Sequence, residues 1–386
     1  MNEILKLIKG NMRKNGMIIA LALIVVIFQV WTKGVLLRPL NITNLILQNG
    51  YILILAIGML PVIITGRIDL SVGSIVAFTG ALAAIMMVEV QVPFVITLII
   101  CLAVGAAIGA WHGMWTAYVG IPAFITTLSG TLVFRGLTIA LLRGKSIGPF
   151  NSTFRAISMN FIPDFIGGVS LNMTAVLIGI LICLFIILKE LRSRNSDLKA
   201  GLQVVPLWFF ITKTALMCLG VLLLIYFLAA YNGIPYLLVL LVFLIVFYTF
   251  VTTNTVLGRR VYAIGGNEAA ARLSGINTKG MIFLTNINVS ILAAVAGIVF
   301  AARLNAGTPR AGNGFELDAI AACFIGGASV TGGSGTIAGA VIGTLIMGVM
   351  NNGMSIVGIS VDIQQAIKGL VILLAVAIDM LMKKRR

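Results

Sequence analysis

Charge is scarce in this chain, and acid is scarcer still. Its 386 residues include 27 lysines and arginines but only 11 aspartates and glutamates, so charged residues make up 10% of the whole. A soluble globular chain carries about 25%. With 60% of residues apolar, that deficit excludes an ordinary soluble enzyme, a disordered polypeptide and a collagen-like fibre. Histidine is nearly absent: His112 stands alone, which excludes a histidine metal cluster. Lying between Trp111 and Trp115, it reads as an interfacial or packing residue. The four cysteines, Cys101, Cys183, Cys218 and Cys323, form no C-x-x-C and lie in or beside apolar runs. They read as small buried hydrophobes rather than a zinc site or a disulfide framework. H-E-x-x-H does not occur, and the one G-x-S-x-G spelling, Gly144-Lys145-Ser146-Ile147-Gly148, follows an apolar run of membrane length rather than the strand that a nucleophile elbow needs. No catalytic and no metal-binding residue is therefore expected.

What the chain has in quantity is apolar length, in runs long enough to span a bilayer at about 20 residues each. A basic patch (Lys6, Lys9, Arg13, Lys14) precedes the run Met17 to Val30, and no small-x-small cleavage site follows, so the run reads as an uncleaved first span. Further runs lie near 45–65, 70–88, 94–118, 121–142, 172–188, 205–229, 234–253, 280–302 and 364–382. The formal charge of +16 suits nucleic acid in a soluble chain; here it reads as topology. With the N-terminus inside, the inside segments hold 18 of the basic residues and the outside segments seven. The opposite orientation inverts that ratio, so both termini are placed in the cytosol.

This alternation makes one demand of the glycine-rich stretch 317–352, which must start and end outside. Broken at Gly326-Gly327 and at Gly332-Gly333-Ser334-Gly335, it reads as two short helices meeting at a non-helical break. Irregular backbone at membrane depth needs protein or a wet cavity around it. The break therefore marks either a translocation path or a close-packing site. Gly105, Gly109 and Gly113 recur every four residues, as do Gly335, Gly339 and Gly343. Such spacing puts small residues on one helix face and predicts seams within the subunit.

Two nucleotide-like motifs fail on context. Gly144-Lys145-Ser146 lacks the earlier glycine, since position 139 is Ile. Gly333-Ser334-Gly335-Thr336-Ile337-Ala338 follows no strand and has membrane-apolar flanks. Any ATP-driven work would therefore need a partner.

A polar stretch between late spans contains Asn267-Glu268-Ala269-Ala270-Ala271-Arg272-Leu273-Ser274-Gly275. Asn267 suits an N-cap, Glu268 the positive helix end and Gly275 a C-terminal cap. A short cytosolic helix over 267–275 is predicted. It either docks in a partner groove or lies on lipid headgroups.

This segment resembles the coupling loop of membrane subunits of monosaccharide ABC importers, the ribose/xylose/arabinose/galactose permease family. The resemblance extends to Ile68-Asp69-Leu70-Ser71-Val72-Gly73-Ser74, to Pro122-Ala123-Phe124-Ile125-Thr126-Thr127-Leu128 and to Glu316-Leu317-Asp318-Ala319-Ile320-Ala321-Ala322. It continues through Gly326-Gly327-Ala328-Ser329 to Asn351-Asn352-Gly353, in family order over about residues 40–382. Extra length around 143–213 looks like the xylose or multiple-monosaccharide branch.

The resemblance implies an all-α polytopic permease of the vitamin B12-type fold, one transmembrane domain over 1–386, in a bacterial cytoplasmic membrane. It implies about ten spans plus the broken pair, and a homodimer. It also implies a tandem-domain ATPase that binds the ATP and magnesium, and an extracytoplasmic sugar-binding protein. No cofactor is expected in this chain and no nucleic acid as partner. Candidates for the sugar path are the amides and hydroxyls Gln48, Asn49, Thr126, Thr127, Ser129, Asn286, Asn288, Asn351 and Asn352, each of which could instead bond between helices. Asp69, Glu316 and Asp318, at span ends, read as gating or helix-capping acids. The rival class is a stand-alone secondary transporter or channel. Such carriers place a carboxylate or histidine in mid-membrane, and no acid falls near the centre of a long run here.

Overall fold

The computed structural model describes residues 12–168, 170–202 and 204–384. Of the basic residues that orient the chain, Lys6, Lys9, Arg385 and Arg386 lie outside the described residues. Among those described the fold is helical, with two isolated β-bridges, Ile147 to Gly307 and Phe161 to Pro235.

The helices are α1 (Met12–Trp31), α2 (Pro39–Ile64), α3 (Val72–Ala84), α4 (Phe94–Gly113) and α5 (Ala123–Leu141). A π-helical turn extends α3 over Ile85–Glu89, and another extends α4 over Met114–Val119. Then come α6 (Ser152–Met159), α7 (Met173–Lys199), α8 (Leu207–Ala229), α9 (Tyr236–Asn254) and α10 (Val256–Gly266). The chain closes with α11 (Glu268–Leu273), α12 (Thr278–Leu304), α13 (Phe315–Ile325), α14 (Ile337–Val357) and α15 (Val361–Lys384). Nine helices among the described residues are long and apolar enough to cross a membrane. Each apolar run expected as a span falls on one helix; eight of these helices are among the nine, α14 is the ninth, and α1 and α15, which carry the first and last runs, are not among them.

Local chemistry fixes many of the ends. Pro93, Pro122 and Pro206 each stand just before a helix in an extended conformation. Proline is cheap there, because the first turn's N–H groups have no helical partner anyway. Asn172, Thr255, Asn277 and Thr336 each cap a helix with a side-chain oxygen.

The glycine seams form inside the subunit. A Cβ at Gly105 would lie 2.7 Å from the Ala294 Cβ, and one at Gly109 2.6 Å from the Asn286 carbonyl. Glycine there lets α4 and α12 approach backbone to backbone. Gly339 and Gly343 do the same for α14 against α13, facing the Gly326 and Ala322 carbonyls. The expectation of two short helices in 317–352 needs correction. The first, α13, has 11 residues, but α14 has 21 and is a full span. Ile337 to Val357 contains no proline and no charged residue, and Thr336 caps its start through the Gly339 N–H, so nothing ends it early. The irregular break itself occupies 326–336.

The chain packs as two compact units. The larger holds the described residues to Leu36, then Leu45–Met159 and everything from Leu237 onward. The smaller holds Leu37–Asn44 and Asn160–Tyr236. Its main feature is the antiparallel α7–α8 pair, whose polar end carries Arg194 over the Phe210 ring at 5.1 Å and a Lys213–Glu190 ion pair at 2.9 Å. At the other end Asp164 accepts bonds from the Met173, Thr174, Gly167 and Ile166 N–H groups and the Thr174 hydroxyl. Slight desolvation works against the charged form. The bonds from Thr174, Met173 and Gly167 prevail and lower its carboxyl to about 2.

Candidate functional site

Three places in the larger unit bring chemistry-bearing residues together, and two of them are joined by the backbone. The first is the end that carries α10 and α11. Asn267 accepts from the Ala270 N–H at 3.0 Å and so starts α11. Gly275, at φ +82°, ends the segment, with its N–H bonded to the Arg272 carbonyl. α11 is six residues long, shorter than the 267–275 expected, because both caps lie outside the helical turn. Its buried residue is Ala271, whereas Leu273 is 88% exposed.

This helix is tied into the bundle at two points. The Arg67 guanidinium pairs with Glu268 at 2.9 Å and also donates to the Thr65 carbonyl. At Gly265, just before α11, the backbone presses on the end of α2 and on the 326–336 break. A Cβ there would overlap the Ile64 carbonyl and lie 2.6 Å from the Gly333 N. The Gly333 N–H bonds the same Ile64 carbonyl at 2.8 Å, and the Tyr262 hydroxyl donates to the Gly335 carbonyl at 2.7 Å. Gly332 and Gly333 have positive φ, which lets the break turn back on itself. Thus the break, the end of α2 and the α10–α11 loop meet in one knot.

The second place is the link 65–71, which contains Arg67. Asp69 is fully buried, and its Oδ1 accepts from the Ser71 N–H at 2.7 Å and the Ser71 hydroxyl at 2.6 Å. It therefore braces the start of α3. Its Oδ2 is buried without a hydrogen-bond partner. Thr127 donates no bond here to Asp69; its Oγ1 accepts from the Leu70 N–H, and Thr131 donates to the Leu70 carbonyl. His112 is buried at the same spot, with Nδ1 3.5 Å from the Ser71 Oγ and its ring edge-on to Phe134. That is the packing role its sequence setting implied.

The third place surrounds Asp318. Read from sequence as a gating or capping acid, Asp318 makes no capping bond: α13 starts from Gly314 without a side-chain cap. Asp318 instead lies 2.9 Å from the Lys368 ammonium, 3% exposed, with the Tyr51 hydroxyl 3.5 Å away. Two charges in the helical part of a membrane chain thus answer one another. Glu316 packs over Gly73, where a Cβ would strike its Oε2, and lies within electrostatic reach of Arg135, Asp318 and Asp69. Arg135 in turn donates to the Pro309 and Ala311 carbonyls, fixing the loop that leads into α13. A cavity of about 330 Å³ opens beside the Asp318–Lys368 pair.

The other sequence candidates scatter. Gln48 and Ser129 are exposed on the protomer. Asn49 is buried, bonded to the Leu45 carbonyl and packed on Gly348 of α14, one turn from Asn351 and Asn352. Asn351 has a buried Oδ1 without a bond. Asn286 sits in the α4–α12 seam and bonds its own helix at Ile282. Asn288 accepts from the Tyr248 hydroxyl and lines an apolar cavity of about 230 Å³. Thr126 and Ser129 meet Trp111 and Trp115 around a further cavity of about 210 Å³. Residues that sequence reasoning passed over are Tyr51, Arg67, Tyr262 and Lys368. Of these, only Lys368 carried a signal, as a charge inside an apolar run.

Among the described residues no group of three or more histidine, cysteine or acidic side chains could hold a metal ion. No solved structure matches the chain. A xylose transport system permease protein, XylH, of Haemophilus influenzae is 42% identical over 383 residues, 98% of this chain and 99% of that protein. XylH of Escherichia coli is 40% identical over 378 residues, 97% of this chain and 93% of that protein. A ribose import permease protein, RbsC, of Bacillus subtilis is 34% identical over 96% of this chain and 94% of its own length. Residues 41–376 match the family described as the permease component of branched-chain amino acid transport systems. That description names amino acids where the relatives name sugars, and the relatives align over nearly the whole length. With its helices long enough to cross a bilayer and matches along nearly its whole length, the chain belongs to this family of multi-pass transport permeases.

Proposed function

We propose that this chain is the pore subunit of an ATP-driven importer that moves a pentose, of which xylose is the type, into the cytosol. A separate tandem-domain ATPase supplies the energy, and an extracytoplasmic binding protein delivers the sugar. Two copies of the chain form the pore, each with its termini and α11 on the cytosolic side. The near full-length relation to xylose permeases supports the substrate class.

The observation that carries the mechanism is the knot at Gly265. An ATPase that closes on ATP can move a pore only through a rigid body held by both partners. α11 is such a body: it projects Leu273 into solvent while its root is held by Arg67, Ile64 and Gly333. Movement of α11 is therefore delivered to two elements at once. Through Arg67 it reaches the 65–71 link and Asp69. Through the break at 326–336 it reaches α13 and α14. Both lead toward Glu316 and Asp318, which gives these acids a gating role rather than a capping one. ATP and magnesium remain on the ATPase, and this chain needs no cofactor of its own.

The buried Asp318–Lys368 pair is the one observation that favours a secondary carrier, since intramembrane charges often mark proton paths. It is a closed pair, however, and α11 has no purpose in a carrier that works alone. The test is reconstitution in liposomes with the ATPase and the binding protein. The importer reading expects xylose uptake that requires ATP and stimulates its hydrolysis. Uptake by this chain alone, driven by a proton gradient, would overturn it.

A further inference from the structure

We infer that the pore subunit itself contacts the passing sugar, in the cavity beside the Asp318–Lys368 pair. The inference rests on the importer reading above and goes past it, because it gives the pore a polyol-binding site of its own. The cavity is formed by three elements of the larger unit: the middle of α2, the start of α13 and the first half of α15. Its volume of about 330 Å³ falls at the small end of the ~300–1,000 Å³ typical of ligand sites. Tyr51, Asn313, Glu316, Asp318, Gln364 and Lys368 supply its polar lining.

The charge balance selects the ligand class. Asp318 is answered by Lys368 at 2.9 Å, while Glu316 has Arg135 within electrostatic reach but no ion pair of its own. The cavity thus offers many hydrogen-bonding groups and little net charge. An anion would find the cavity's one ammonium already paired with Asp318, whereas a neutral polyol needs no free counter-charge. Carboxylates accept from hydroxyls, the ammonium donates to them, and side-chain amides do both. Bonds to charged groups are the stronger kind. Tyr51 also stacks on Phe315 with ring centroids 3.9 Å apart, and both rings reach the cavity. An aromatic surface beside paired hydrogen-bonding groups suits a sugar, which has one C–H face and a rim of hydroxyls.

The arrangement also suits passage rather than storage. Asp318 is nearly sealed, whereas the Lys368 side chain is 21% exposed, so the pair can lend bonds without losing its own. The base of α13 is set by the Arg135 contacts to Pro309 and Ala311, and its far end runs into the break that touches the α10–α11 loop. Movement of that loop therefore bears on one wall of the cavity.

The test is photolabelling of the assembled wild-type transporter with a diazirine-bearing xylose, followed by peptide mapping. Label on residues 45–55, 313–320 or 361–372, displaced by unlabelled xylose, is expected. Label confined to the Trp111–Trp115 cavity, or none on this chain while xylose uptake is intact, would overturn the site and leave the importer standing. A wild-type transporter that takes up no monosaccharide would overturn the importer reading and the site with it. A second arm uses Gln364→Leu and Tyr51→Phe, scored by the ratio of xylose to arabinose uptake. Each should shift that ratio about tenfold, the effect of losing a bond worth ~1.4 kcal/mol in one transition state but not the other. An unchanged ratio in well-expressed variants counts against the contact.

Discussion

The buried helices and the exposed ones obey different rules although all are apolar. In α2 83% of the membrane-length window is buried inside the protein, whereas in α8 the share is 17%. The buried helices carry glycine, hydroxyls and amides: Gly50, Gly58 and Asn49 on α2, and Gly339, Gly343, Asn351 and Asn352 on α14. The exposed helix α8 is leucine and phenylalanine with few polar interruptions. Lipid tails are as apolar as leucine, so burial against protein gains little from greasiness alone. Close approach and interhelical bonding gain more, and both need small or polar residues. Burial in this chain thus follows where small and polar residues are placed and not mean hydropathy, which is the same for the buried α12 and the exposed α8.

The sharpest way to break that contrast is to add side chains at glycines of both kinds. Gly343→Leu should abolish folding or cost more than ~3 kcal/mol, because a Cβ there overlaps the Ala322 carbonyl. Gly220→Ala on α8, with nothing within 4 Å of the added carbon, should stabilise by ~0.5–1 kcal/mol. Thermal unfolding in detergent separates the two. Equal effects would mean that α8 is as tightly packed as the centre.

Ion pairs give the next largest difference. Asp318→Ala leaves Lys368 without its partner in the interior and should cost ~3–5 kcal/mol. Lys213→Ala breaks a pair whose lysine is 49% exposed and should cost less than ~1 kcal/mol. The smallest effect is a titration at the rim. Asp164 has its carboxyl lowered to about 2 by hydrogen bonds that prevail over slight desolvation. A lowered folded-state value means its contribution is present above the ordinary aspartate range of ~4 and lost as pH falls toward 2. Protection of the Met173 and Thr174 amides from hydrogen exchange, taken relative to the intrinsic rate at each pH, should therefore fall over that window in the wild type and be low already at neutral pH in Asp164→Ala.

Much of this was legible in the sequence, and the exceptions share a cause. Apolar run length placed every membrane-length helix but α14, and glycine spacing marked the close-packing faces of α4 and α14 though not their partners, because both are local properties. Asn267 and Gly275 marked the ends of α11 for the same reason. The Asp318–Lys368 pair was not legible: its partners lie 50 residues apart, and within its own segment Asp318 looks like a first-turn acid. Gly332–Gly335 announced a break but not its neighbours. Only packing brings that break to Ile64 and Gly265 and makes it part of the α11 knot. The length of α14 was misread because the double glycines lie before its start, not within it.

Transmission of ATPase closure to the pore falls to α11. It is tested most directly by measuring xylose uptake and ATP hydrolysis together, in liposomes that contain Leu273→Asp with the ATPase and the binding protein. A charge on the most exposed apolar residue of α11 leaves the bundle intact and removes the docking contact. Uptake should fall at least about tenfold, the loss expected for an interface anchor worth ~2 kcal/mol or more, while the chain inserts at wild-type levels. Wild-type uptake with wild-type coupling to hydrolysis would contradict the claim.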